Sequence, residues 1–353
     1  MYPRVVINKT KLKENTEIIV NKAKAKGINI FVVTKVHSAD INLAKICLEA
    51  GVSAVADSRV QNLVKLSELP CEKILLRLPM LSEVDEVVKY ADISFNSELK
   101  TIEALNEAAK QQGKKHRIVV MFDLGDLREG FLPEDVDLVM PEILKNEWIT
   151  VEGIGVNLTC YGGVIPTPEN LSELTKLADH IEATYKISLN IVSGGNSSSL
   201  YLLDGETIPK RINNLRVGEG IVLGREAAYG EQIPGTHDDA FVLEAQLVEY
   251  KFKNSVPKGL IGMDAFGNKP VFEDQGMIQR GIVAIGRQDV DHTNLIPVDE
   301  RLKILGASSD HMILDFTQAK AEYKVGDIVS FKMEYGAMLK LFTSEYVEKV
   351  IEE

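Results

Sequence analysis

The chain is poor in cysteine, and Cys47, Cys71 and Cys160 form no CxxC pair. That spacing excludes a disulfide framework and a cysteine zinc site, and it fits a reducing compartment. No apolar run approaches the roughly 18 residues of a membrane helix, and the opening "MYPRVVINKTKLKENTEII" lacks the apolar stretch of a signal peptide. A cytoplasmic protein without a membrane partner is expected. Positive charge is in deficit: 40 Lys and Arg against 52 Asp and Glu give a formal net charge of −12. Such a balance opposes binding to a polyanion such as nucleic acid and only faintly favours cationic small molecules. Internal repeats and low-complexity tracts are also missing.

What the 353 residues do contain is alternation. Short β-branched runs at 28–35, 53–58, 73–78, 91–96, 117–123, 151–157, 189–195 and 214–220 are separated by segments such as "ELKTIEALNEAAKQQ", whose apolar residues recur every three or four positions. Eight βα units predict a closed (β/α)8 TIM barrel over residues 1–234. A doubly wound open sheet is the alternative, and it would need a long insertion. After "GREAAYGEQIPGTHDDA" the period changes to that of strands, in "AFVLEAQLVEYKF", "RGIVAIGRQ", "HMILDF" and "DIVSFKM". A second, mostly β domain is expected at 235–353, and the strand-like residues 1–8 are candidates to pair with it.

A barrel places its chemistry at the C-terminal ends of its strands, often with a phosphate site after strands seven and eight. "SGGNSSS" (193–199, including Asn196 and Ser197) and "RVGEG" (216–220) occupy those two places. Glycines let the backbone approach an anion, and serines donate hydroxyls. Either turn alone is more often only a turn; together they point to an organic phosphate. Lys35 in "FVVTKVHS" ends the first strand at the same mouth. It reads either as a solvated strand-end lysine or as a desolvated amine suited to a Schiff base with pyridoxal 5′-phosphate. Arg216 and Arg128 complete the set: a guanidinium facing the pyridine nitrogen would keep that nitrogen unprotonated and favour simple proton exchange at the α-carbon. For Arg128, flanked by Asp126 and Glu129, a surface ion pair competes with that role.

The strings "ADSRVQNL", "DLGDLREGF", "GIGVNLTCYG", "VSGGNSSS", "LRVGE", "GASSDH" and "YGAMLK" carry a resemblance to the alanine racemase-type family of pyridoxal phosphate enzymes, closest to its ornithine-racemising members. The resemblance spans essentially the whole chain. It implies that Lys35 is the Schiff-base lysine, that Arg216 faces the pyridine nitrogen, and that Ser197 with the backbone of Gly218 and Glu219 holds the phosphate. It also implies that Arg128 lies near the cofactor phenolate and the substrate carboxylate. In proteins of this architecture the β domain of one subunit closes the other's barrel mouth, so a homodimer with interfacial sites is implied too.

The sequence departs from that pattern at three places. Ala39 stands where the family has a tyrosine four residues after its lysine, with Tyr335 as a replacement phosphate contact. Met121 stands where the family has a modified lysine, and "GMDAFGNKP" lacks the tyrosine that acts as the opposite-face base. Asp264 is nearest to that vacancy and takes the base role here, ahead of His311, Tyr335 and Cys160. Asp289 and Asp291 are candidate partners for a distal substrate ammonium, which favours ornithine or lysine over alanine or serine. A metal-dependent relative finds no compelling ligand set among the histidines. The competing reading is a non-catalytic pyridoxal phosphate carrier, and the second domain speaks against it.

Overall fold

A computed structural model describes residues 1–205 and 207–353. The chain divides into two compact units, one made of Thr10–Asp238 and the other of Met1–Lys9 with Asp239–Glu353.

In the β unit the chain begins with β1 (Arg4–Asn8). The barrel unit then supplies β2 (Asn29–Val33), β3 (Ala54–Asp57), β4 (Glu72–Leu75), β5 (Ile93–Asn96), β6 (His116–Met121), β7 (Ile149–Gly155), β8 (Ile191–Ser193) and β9 (Asn214–Val217). These eight are parallel and close in chain order, β9 returning to β2 through Phe31 opposite Arg216. All eight lie within or beside the β-branched runs, because strands buried on both faces must be apolar on both. Inward-pointing Phe31, Val33, Ala56, Ile74, Phe95, Val119 and Met121 fill the barrel. Each fully buried Phe or Ile there contributes about 1.5–3 kcal/mol over exposure. Met121 is thus a core residue, in keeping with its lack of charge. Asn15 fastens the end of the unit: its amide donates to the His237 carbonyl (2.9 Å) and accepts from the His237 N–H (2.7 Å).

The β unit continues with β10 (Phe241–Asn254), β11 (Met277–Val283), β12 (Leu295–Pro297), β13 (Lys303–Ala307), β14 (Met312–Asp315), β15 (Ile328–Met333) and β16 (Glu348–Glu352). Its antiparallel sheet runs β12-β15-β10-β11-β14-β13. β1 joins it, antiparallel to β10 (Val5 opposite Leu243) and parallel to β16 (Val5 opposite Lys349). Alternation explains the fit: Val5 and Ile7 are fully buried while Arg4, Val6 and Asn8 are only half-buried. Among the described residues no helix is long and apolar enough to cross a membrane.

Candidate active site

β2 stops at Val33, two residues before the sequence pattern suggests, because the chain turns into a short 3-10 helix, Thr34–His37. Lys35 sits in that turn. Its neighbour Thr34 donates through Oγ1 to Asp57 Oδ2 at 2.7 Å. Asp57 Oδ1 in turn accepts from the Arg59 N–H and Asn62 Nδ2, each at 3.0 Å. Asp57 is fully buried, and burial pushes its carboxyl above the usual range. The turn is therefore tied sideways to β3. Beyond it, Ser38 and Ala39 adopt left-handed backbone, with φ of 53° and 57°. Side-chain-bearing residues resist that region by about 1–2 kcal/mol each, so the turn is a shape imposed by its surroundings. Lys35 itself is exposed within this chain, where its strand context predicts burial. Lying past the strand end lets its side chain clear the rim.

Opposite in the ladder, Arg216 is buried and points into the barrel. Its Nη1 donates to Ser193 Oγ at 2.6 Å and its Nη2 to the Val156 carbonyl at 2.9 Å. The guanidinium lies 5.1 Å from the Phe95 ring centroid. Burial lowers its pKa to about 10. It is still a fixed cation at neutral pH.

The glycine-serine turns meet at one corner. Asn196 caps the following 3-10 helix by accepting from the Ser198 N–H (2.8 Å), and its Nδ2 donates to the Leu158 carbonyl (2.8 Å). Ser197 Oγ accepts from the Gly220 N–H at 3.0 Å, so the turn after β8 is joined to the turn after β9 and the hydroxyl hydrogen remains available to donate. The fully buried Ser198 hydroxyl has no hydrogen-bond partner. A Cβ on Gly218 would meet Val33 at 3.0 Å, and Gly195 has φ +116°. Only glycine allows both approaches. A hydroxyl free to donate and an unpartnered buried oxygen at a glycine-rich corner suit a phosphate ester. Glu219 opens the short helix Glu219–Leu223 and pairs with Arg225 at 3.5 Å.

Arg128, on the loop after β6, is half-exposed and chelated by Glu129, with Nη2 to Oε1 at 2.5 Å. The ion pair weighed from the sequence exists. The guanidinium also reaches the Asn157 amide: with the amide oxygen turned toward it, Nη2 lies at 3.0 Å and Nη1 at 3.3 Å. Asn157, which carries no signal in the sequence pattern, lies between the two arginines and accepts from one or the other: with the amide turned the opposite way its oxygen lies 3.4 Å from Arg216 Nη2. Cys160 lies beside Asn196 Nδ2 (3.5 Å) and close to the Arg128 guanidinium.

Asp126 is a second residue that sequence reasoning misses. Its fully buried carboxylate accepts four backbone N–H groups: Thr159 (3.0 Å) and Val164 (3.2 Å) at Oδ1, Cys160 (3.2 Å) and Tyr161 (3.1 Å) at Oδ2. No local pattern signals this, because the donors come from another loop.

The remaining candidates, Asp264, Asp289, Asp291 and Tyr335, lie in the β unit. Asp264 is exposed and holds its own turn, accepting from the N–H groups of Asn268 (2.8 Å) and Phe266 (2.9 Å). Those bonds, Asn268 first, keep its carboxyl below the usual range and oppose its taking a proton near neutrality. Asp289 is buried and accepts from Ser344 Oγ at 2.7 Å. Asp291 caps the turn His292–Asn294 through Thr293, whose hydroxyl lies at 2.7 Å. Each of the three carboxylates thus has a local structural task. Tyr335 begins the helix Tyr335–Thr343. Among the described residues no group of three His, Cys, Asp or Glu is placed to hold a metal ion.

The family model described as alanine racemase, N-terminal domain, matches residues 7–226. Ornithine racemase of Acetoanaerobium sticklandii is 53% identical over 350 residues, covering 99% of each chain. Lysine racemase of Thermotoga maritima is 40% identical over 100% of this chain and 99% of its own. Among solved structures, alanine racemase from Streptomyces lavendulae superposes with a TM-score of 0.75 at 15% identity, covering 100% of this chain and 98% of that one. At that identity the superposition shows a shared fold. The sequence matches carry the kinship further, and the chain belongs to the alanine racemase family.

Proposed function

We propose that this protein is a pyridoxal 5′-phosphate-dependent racemase that interconverts L- and D-ornithine by proton transfer at Cα. The observation that carries the reading is the full-length identity of 53% with an ornithine racemase, on a chain whose barrel mouth brings Arg216 and the Ser197–Gly218 corner together. Lysine is the second substrate to test, since a lysine racemase is 40% identical over the same span.

When bound, the cofactor would supply the electron-withdrawing system that acidifies the Cα–H bond. The chain's own residues would do the rest. The Lys35 amine would hold the aldehyde and, once displaced by the substrate amine, carry a proton to or from Cα on its own face. Arg216 cannot act as an acceptor and does not give up its proton at neutral pH, so it would donate to the ring nitrogen and keep that atom unprotonated. That contact would favour simple proton exchange at Cα over other chemistry. Ser197, Asn196 and the amides of Gly218 and Glu219 would hold the phosphate, and Tyr335 stands for the missing family tyrosine. Arg128 would receive the substrate carboxylate, its planar fork matching two oxygens. The ornithine preference rests on the relatives, because Asp289 is engaged with Ser344 and Asp291 with its own turn.

A homodimer in a reducing, cytoplasmic compartment belongs to this reading. Exposed Lys35 and half-exposed Arg128 at the rim support a mouth completed by a second copy, and three cysteines without a disulfide support the compartment.

Incubating the purified protein and cofactor with L-ornithine in heavy water tests the activity. Deuterium at Cα with loss of optical rotation is expected, and Lys35→Ala should lose both together with the visible absorbance of the bound cofactor. Cofactor binding with no exchange for any amino acid would make the protein a carrier instead.

A further inference from the structure

We propose that Asp126 is a positioning residue that staples two loops of the barrel mouth and thereby aims Arg128 at the substrate carboxylate; this rests on the racemase reading above. Asp126 lies on the loop after β6, two residues before Arg128, and its four backbone donors lie on the loop after β7, at Thr159, Cys160, Tyr161 and Val164. The Gly162 N–H adds a fifth bond to the Asp126 carbonyl at 2.9 Å. An ionised carboxylate offers about four acceptor sites, and here four N–H groups fill them. Only an acceptor of that capacity satisfies so many donors from one point.

The staple bears on Arg128 because the second loop carries the groups that Arg128 touches. The Asn157 amide oxygen, turned toward Arg128, meets the guanidinium, and Cys160 lies close to it. Backbone shape shows that the arrangement is imposed. Leu127 (φ 58°) and Thr159 (φ 61°), one next to the carboxylate and one among its donors, are both in the left-handed region without being glycine. Leu127 is also largely exposed, so packing of its side chain does not explain its backbone. Removing the staple would let both loops relax, and Arg128 would lose its fixed relation to Asn157, while Arg216 stayed tied to Ser193 and Ser197 to Gly220.

Asp126→Asn is nearly isosteric and replaces one acceptor oxygen with a donor facing two N–H groups. In the cofactor-loaded enzyme the KM for L-ornithine should rise about tenfold or more, with kcat changed by less than about threefold, the signature of lost substrate binding. Cofactor affinity, read by visible absorbance, should not move. Arg128→Ala should raise KM similarly, and adding Asp126→Asn to it should raise KM no further. An unchanged KM in Asp126→Asn, a fall in cofactor affinity, or KM effects that multiply in the double variant would overturn the proposal. Hydrogen exchange on the wild-type enzyme gives a test that does not need the variant to fold: the amides of residues 159–161 and 164 should be protected, and rapid exchange there refutes the staple. A wild-type enzyme inactive on ornithine would count against the functional reading, and the exchange measurement would still decide the staple.

Discussion

Acidification should weaken this fold well before its carboxylates titrate, through two buried histidines. His37, in the turn that carries Lys35, and His116, at the start of β6, both have pKa values lowered to about 4 by burial. His116 also has a buried Nδ1 without a partner, its Nε2 lying 2.7 Å from Ser94 Oγ. In the unfolded chain each returns to about 6.5. Between those values the unfolded state binds more protons than the folded one, so stability falls as pH falls, and the loss is complete below the folded value. At about pH 5 each histidine, with a folded pKa of about 4, costs about 2 kcal/mol relative to neutrality, or about 4 kcal/mol together. That is a large part of the stability of an ordinary domain. Urea unfolding at pH 7 and pH 5 measures it, with His37→Leu/His116→Gln as the comparison, since the double variant should show a much flatter profile. An equal loss in both proteins would refute the reasoning. Because His37 belongs to the Lys35 turn, proton exchange at Cα should fall over the same pH window.

Ser197→Ala removes the hydroxyl that accepts from the Gly220 N–H and would donate to the phosphate, and it should weaken cofactor binding about tenfold or more by visible titration, since a hydrogen bond to a charged group is worth about 1.5–3 kcal/mol; an unchanged affinity would remove Ser197 from the phosphate corner. Asp264→Asn should loosen the 264–268 turn yet leave deuterium exchange intact on both faces of Cα. Loss on one face with every amino acid would restore Asp264 as the base.

The barrel was legible because a parallel strand covered on both faces must be apolar at every position, and eight such runs leave few architectures. Lys35, Arg216 and the two glycine-serine turns were legible by place, since the C-terminal ends of barrel strands are where side chains converge. The exposure of Lys35 was not, because the turn Thr34–His37 depends on Asp57, which comes from the next strand. Asp126 was hidden for the same reason, its donors lying more than thirty residues away. The acidic turns also carry a local signal of their own. In Asp264-Ala265-Phe266 and Asp291-His292-Thr293 the carboxylate accepts from the N–H two residues on, a local arrangement that Asp adopts at turns and helix starts. That spacing was visible in the sequence and pointed to turn-holding before it pointed to a substrate.

The pairing of β1 with β10 and β16 has a consequence for how the chain is made. β1 is made before the barrel but is among the last strands to find its neighbours, which begin at Phe241 and Glu348. Until then its apolar Val5 and Ile7 have no sheet to join, so the N-terminus must wait while the barrel forms behind it. A chain cut short after the barrel would strand this segment, and one that starts at Thr10 would leave β10 and β16 each short of a partner. The chain order is nonetheless not essential to the architecture. β1 and β16 are parallel, with the Met1 amine pairing Glu348 and Asn8 Nδ2 reaching the Glu353 carbonyl at 3.1 Å. A linker long enough to run back along one five-residue strand, about 17 Å, would join the old termini. A circular permutant opened between Lys9 and Thr10 would then encode the barrel first and the whole β unit after it, each from one uninterrupted stretch.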